Sequence, residues 1–158
     1  MNKLNIHLRN AVRKDFDKIL DLIGMHARAE HAEFRAEEKK EKLGNAIFKN
    51  PPSLFCLIAE CDHIVIGFAS YYFTFSTWEA APSLMLDCIY VEENYRSLGI
   101  GNALMELLQQ IGRSNDCTTI KWLTLDSNAK AIKFYERIGA TGKTDKIRYS
   151  LSLSHETP

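Results

Sequence analysis

Tyr95-Arg96-Ser97-Leu98-Gly99-Ile100-Gly101-Asn102 is the stretch on which the reading of this chain turns. Ahead of it runs Leu84-Met85-Leu86-Asp87-Cys88-Ile89-Tyr90-Val91, a short apolar segment rich in bulky and β-branched residues, which reads as a strand. Behind it, Leu104, Leu107, Leu108 and Ile111 recur at i, i+3, i+4 and i+7, the apolar stripe of an amphipathic helix. A glycine-containing turn therefore joins a strand to a helix N-terminus. The first N–H groups of a helix lack internal partners, and the aligned peptide dipoles make that end positive. Glycines let backbone approach a ligand, and Arg96 adds a forked cationic donor. These parts suit a bound pyrophosphate. A capped helix after an ordinary loop is the plainer alternative.

Two familiar phosphate loops are excluded. The Walker pattern needs a Lys after its second Gly, and Asn102 follows Gly101. The dinucleotide fingerprint needs a third Gly where Leu104 stands. What remains is Arg-x-x-Gly-x-Gly, a pattern that gains meaning only from its surroundings.

Composition bounds the surroundings. The 158 residues suit one domain, 1–158, with a real core. Lys+Arg and Asp+Glu both number 20, so the formal net charge is zero, which argues against nucleic-acid binding through a concentrated positive face. No apolar run approaches the ~20 residues that span a bilayer, and Met1 to Asn5 carry no signal-peptide segment. The expectation is a cytoplasmic protein without a membrane partner. Cys56, Cys61, Cys88 and Cys117 show no CxxC spacing, so they read as reduced core thiols and no metal site is expected.

Outward from the loop, the pattern predicts a first strand over Ile6 to Val12, a helix from about Lys14, and a charged helix over Ala36 to Phe48 that Asn50-Pro51-Pro52 stops. Leu54 to Glu60 and Ile64 to Phe75 read as strands joined by a turn at Cys61-Asp62-His63. Thr118 to Leu125 reads as a strand. Ala131, Phe134, Tyr135 and Ile138 mark a helix ended by Gly139. Ile147 to Leu153 alternates apolar and polar residues and reads as a closing strand. The order is an α/β (α+β) layer fold with a mixed sheet.

Asp126-Ser127-Asn128 precedes that last helix, where Ser127 or Asn128 can act as an N-cap. Tyr135 falls about two turns later; on its own it reads as a ring packed in the core.

Taken together, Ile89-Tyr90-Val91, Tyr95-Arg96-x-x-Gly99-x-Gly101, then Asn128 and Tyr135 before Gly139-Ala140, resemble the GNAT superfamily of acetyl-CoA-dependent N-acetyltransferases. The stretch Val65 to Trp78, with its Gly-Phe-Ala-x-Tyr-Tyr-Phe-Thr core, is similar to the diamine branch, which includes spermidine/spermine and thialysine acetyltransferases. The resemblance implies a mixed, mostly antiparallel sheet with splayed central strands, flanked by about four helices. It implies that pantetheine pairs with the backbone of Ile89, Tyr90 and Val91. Pyrophosphate would rest on Ser97, Leu98, Gly99, Ile100, Gly101 and Asn102, beside Arg96. Asn128 and Ala131 would lie along the pantetheine, and Tyr135 near the thioester sulfur. Direct attack by the amine in a ternary complex, without an acyl-enzyme, is implied, as is a homodimer.

The acceptor side is open to more than one reading. Asp87 stands where the diamine branch carries an acid, as a base acting through water, as a contact for a cationic substrate, or as a strand-edge charge. Glu30 stands at a similar acidic position, and Trp78 offers an aromatic wall for a cation. Glu33, Glu37, Glu38 and Glu41, interleaved with Lys39, Lys40 and Lys42, read as a solvated helix face. Polyamine-type enzymes carry two adjacent acids where this chain has Asp87 and Cys88, a departure that favours a smaller or differently charged amine. Deprotonating an alkyl amine of pKa ~10.4 at pH 7 costs roughly 4–5 kcal/mol, while a proton passing from Tyr to a thiolate climbs only ~2 kcal/mol. Tyr135 is thus a plausible general acid. An aminoglycoside or peptide acetyltransferase, and a non-catalytic acyl-CoA-binding module, are the alternatives.

Overall fold

The computed structural model describes residues 5–153, in two compact units divided after Leu123. The first holds the sheet. Strands β1 (Ile6–Asn10), β2 (Phe55–Cys61), β3 (Ile64–Ser76), β4 (Ala81–Val91) and β5 (Thr119–Lys121) lie side by side in chain order. The first four pair antiparallel, because tight turns join β2 to β3 and β3 to β4. At the β2–β3 turn, Asp62 and His63 both take positive φ, the geometry of a two-residue hairpin. β5 runs parallel to β4, across the α3 (Ile100–Ser114) crossover. The sheet is therefore mixed and mostly antiparallel.

β2 is buried on alternate residues of both faces, so the sheet is covered twice. On one face, Ile19 and Leu22 of α1 (Phe16–Ala29) pack into a cluster with Cys56, Ile58, Phe68 and Tyr90. Helix α2 (Ala36–Phe48) lies against α1, close enough that a Cβ on Gly44 would meet the Phe16 ring at 3.1 Å. Helix α3 covers the sheet through Leu104, Met105 and Leu108, with Gly112 close to Leu84 and Ile120. A polar clamp ties the N-terminal strand to its neighbours. Arg9 donates to Asp15 at 2.7 and 3.0 Å and to Glu60 at 2.6 Å, and the Val12 N–H also donates to Asp15. Arg9 holds the Asp15 carboxyl below its ordinary range.

Two irregularities in β4 matter for function. Its pairing with β5 stops at Met85↔Lys121, so the strand runs on to Val91 with no β5 partner among the described residues. This is the splay that the resemblance implied. On the other side, Ser70 faces Cys88 while Tyr71 faces Leu86, which leaves Asp87 unmatched in a β-bulge.

The second unit holds α4 (Ala129–Arg137), capped by Asn128, whose side-chain oxygen accepts from the Ala131 N–H at 3.2 Å. Gly139 ends the helix with φ of 86°. The expected closing strand over 147–153 is not formed. Ile147, Tyr149, Leu151 and Leu153 are 77–87% exposed, because alternation makes a strand only where a neighbour accepts its ladder hydrogen bonds. Likewise the strand expected over Thr118 to Leu125 shortens to the three residues that pair with β4.

Candidate active site

The free end of β4 leads into the glycine turn. A short 3₁₀ turn at Glu93–Tyr95 redirects the chain, and Arg96 follows with extended backbone. Ser97 takes φ of 64° and Gly99 takes 79°, so the chain makes two left-handed steps before α3 begins. Only Gly adopts that conformation without strain, which accounts for residue 99. No side chain caps α3. Its first backbone bond runs from Ala103 N–H to Gly99 O at 3.0 Å, leaving the N–H groups of Ile100, Gly101 and Asn102 without an intrahelical acceptor. The result is a positive, glycine-lined helix end anchored by the buried Ile100.

Arg96 stands at this end. Its Nε donates to the Val91 carbonyl at 3.0 Å, its Nη1 lies 3.3 Å from Glu93, and its guanidinium sits 5.4 Å from the Tyr90 ring centroid. The expected cofactor residues on β4 and in the turn thus follow one another along a strand end that pairs with β3 alone, the turn and the helix start. Asn128 and Ala131 belong to the second unit, where they make the α4 cap. Tyr135 also lies there, half-buried, with its ring 5.3 Å from that of Phe134.

The bulge shapes the other end of the site. Successive strand residues ordinarily point to opposite faces, but the extra residue puts Asp87 and Cys88 on the same cavity. Ser70 sits opposite, with its Oγ 3.4 Å from Asp87 Oδ2. The cavity is a half-open cleft of about 350 Å³, within the range of small-molecule sites. Ser70, Phe68 and Cys56 form its sheet wall; Ile19 and Ile23 of α1 and Lys39, Lys42 and Leu43 of α2 face them. Burial, then the Asp87 charge, pushes the Cys88 thiol up to about 12, so it stays protonated and is not a nucleophile at neutral pH.

His26 escaped the sequence reading. Its ring stacks on Tyr90 at 5.5 Å. Burial holds the imidazole below its ordinary value, against the opposing pull of Glu30 and Asp87 and with a smaller push from Arg96. The coupling brings Glu30, His26 and Asp87 into one electrostatic neighbourhood. Glu30 itself ends α1 and does not line the cavity. Lys39 and Lys42, read from sequence only as part of a solvated face, do line it. Trp78 stands apart: it is 95% exposed at the β3–β4 turn. From Ala81 to Asp87 the strand alone covers ~20 Å at ~3.4 Å per residue, so the indole is not part of the cavity wall. The acids Glu33 and Glu38 engage Arg35 at 2.8 and 3.3 Å.

The sequence matches the acetyltransferase (GNAT) family over residues 17–140. The chain belongs to the GNAT acetyltransferase family. It is an acetyltransferase whose relatives act on small amines. A bovine (Bos taurus) thialysine N-epsilon-acetyltransferase is 29% identical over 148 residues, covering 89% of this chain and 86% of that one. A human (Homo sapiens) spermidine/spermine N(1)-acetyltransferase-like protein 1 is 32% identical over 140 residues, 84% of this chain but 20% of the relative. Among solved structures, a possible acetyltransferase from Clostridium difficile 630 superposes with a TM-score of 0.83 at 20% identity, over 97% of this chain and 100% of that one. That likeness carries the fold; the GNAT family match carries the activity.

Proposed function

We propose that the chain works as one acetyl-CoA-dependent N-acetyltransferase domain acting on the primary amine of a small cationic substrate, diamine-like or thialysine-like. The observation that carries this reading is the course of β4. One strand passes from a bulge that opens on a cavity to an unpaired edge and then to an uncapped helix end. In this reading the pantetheine arm hydrogen-bonds along Ile89, Tyr90 and Val91, and the pyrophosphate sits on the N–H groups of Ser97 to Asn102 beside Arg96. The thioester then falls near the bulge. The amine enters from the cavity, loses its proton toward Asp87 through water, and attacks the carbonyl directly. As the C–S bond breaks, Tyr135 would give its hydroxyl proton to the departing thiolate, and the second amine proton would return through water to the tyrosinate as the amide forms. Asn128 and Ala131 line the pantetheine, and Glu30 adds to the acidity felt by the amine. No membrane-crossing helix exists among the described residues. A cytoplasmic homodimer is part of the proposal, supported by the resemblance alone.

The reading is tested by supplying acetyl-CoA with diamines, thialysine, aminoglycosides and short peptides, and following free thiol. Thiol release above the amine-free rate with a small aliphatic amine is expected. Release with peptides or aminoglycosides alone would replace the acceptor class. Stabilisation by acetyl-CoA without any turnover would reduce the chain to a binding module.

A further inference from the structure

Ile19, Ile23, His26 and Glu30 follow one another at helical spacing, so they share one face of α1. Ile19 and Ile23 line the cleft. His26 is the next step along that face, and Glu30 closes it as the C-cap. Strand β4 carries a second stripe. Cys88 lines the cleft, and Tyr90, two residues on, belongs to the core cluster against which Cys88 packs. The two stripes meet where the His26 ring stacks on Tyr90, with centroids 5.5 Å apart and planes 27° apart. Stacking engages the ring faces and leaves both imidazole nitrogens at the ring edge. The ring is half-buried. Charged groups from three elements act on it: Glu30 on α1, Asp87 on β4 and Arg96 in the glycine turn. The Arg96 guanidinium itself lies 5.4 Å from the Tyr90 ring centroid.

We propose that His26 is the proton acceptor for the amine, at the end of the water path that leads past Asp87, while Asp87 holds the ammonium in place. This rests on the acetyltransferase reading above and names where its first proton goes. Handing the proton of an alkyl ammonium of pKa ~10.4 to an ordinary aspartate of ~3.9 is uphill by ~6.5 pKa units, whereas an ordinary imidazole of ~6.5 leaves only ~4. Burial, the largest influence on His26, holds it below its ordinary value, so the ring is neutral at pH 7 and keeps a lone pair to offer. Glu30 and Asp87 pull the other way and stabilise the imidazolium as it forms. In the step, one N–H bond of the ammonium breaks and its proton passes through water to an imidazole nitrogen. The electron pair left on the amine then attacks the thioester carbonyl. The imidazolium returns its proton to solvent at the Glu30 end of α1 after the product leaves.

His26→Phe separates this role from a packing role, because a phenyl ring keeps the stack on Tyr90 and has no nitrogen; His26→Gln keeps a polar group that is not a base. Wild type and both variants are compared at saturating acetyl-CoA with 1,4-diaminobutane or thialysine, by thiol release between pH 5 and 9. The wild-type kcat is expected to level off above the histidine titration. Both variants are expected to lose ~100-fold at pH 7 and to climb ~10-fold per pH unit instead, as the fraction of free amine does. Acetyl-CoA affinity, read by calorimetry, should be unchanged in His26→Phe. Wild-type kcat and pH profile in His26→Phe would overturn the proposal. So would a loss of acetyl-CoA affinity in that variant with the shape of the pH profile kept, since that marks a packing role. Absence of thiol release by the wild type with either amine would overturn the small-amine reading itself, an outcome distinct from an active wild type matched by its Phe variant.

Discussion

The two ends of β4 are built from different materials. At the Val91 end the groups on offer are backbone: an unpaired strand edge and the first N–H groups of α3. At the Asp87 end they are side chains, a carboxylate raised by a bulge and two lysines from another helix. Backbone groups are the same in every sequence, so such a site asks only for residues that let the chain turn. A side-chain site asks for particular charges from elements far apart in the chain. The first kind suits a cofactor shared across a family; the second can change with the acceptor.

Substitutions can break this division or sharpen it. The largest effect is expected at the chemistry both ends serve. Tyr135→Phe should lower kcat by ~10²–10⁴-fold with KM values nearly unchanged, and should remove the alkaline limb of the pH–rate profile. Full kcat at every pH would remove Tyr135 from the mechanism. Asp87→Asn is expected to lower kcat/KM for amines by ~10–100-fold, read in steady-state assays across acceptor concentrations.

Gly67→Ala probes the junction of the two ends. A Cβ there would stand 2.9 Å from the Tyr90 carbonyl oxygen, which is backbone and cannot swing away. The cost should be about 1–3 kcal/mol in urea denaturation, with weaker acetyl-CoA binding as the β4 edge shifts.

The smallest effect is on stability and belongs to His26. Its folded pKa lies below the unfolded value near 6.5, so the native imidazole stays neutral while the unfolded chain takes up a proton. Stability should therefore be lost as pH falls through ~6.5, and the loss should cease below the native pKa. Asp15 and Glu60, with lowered pKa values, contribute above the ordinary carboxylate range and lose their contribution only at more acid pH. Melting temperatures between pH 8 and 5 should fall less for His26→Gln than for the wild type.

The same division explains what could be read from sequence. The glycine turn was legible because Gly99 meets a local need, a left-handed step before a helix. Helix α2 was legible because Ala36 to Phe48 is bounded by a Pro pair. The Asp87 bulge was not, since it is a property of the pairing of β4 with β3 rather than of either strand. Lys39 and Lys42 were hidden for a related reason: a charged helix looks the same whether its lysines face water or a cavity rim. His26 became visible only through the Tyr90 ring beside it. The segment 147–153 failed in the opposite direction, with a clear strand pattern over residues that form no strand.

The most direct test is calorimetric titration of acetyl-CoA into wild-type protein, Gly99→Val and Asp87→Asn. A β-branched residue is strained at positive φ by about 1–2 kcal/mol, so Gly99→Val should weaken binding by ~10-fold or more. Asp87→Asn should bind as wild type does. Equal affinity for wild type and Gly99→Val, or a loss in Asp87→Asn as large as in Gly99→Val, would contradict a backbone-built cofactor end separate from the acceptor end.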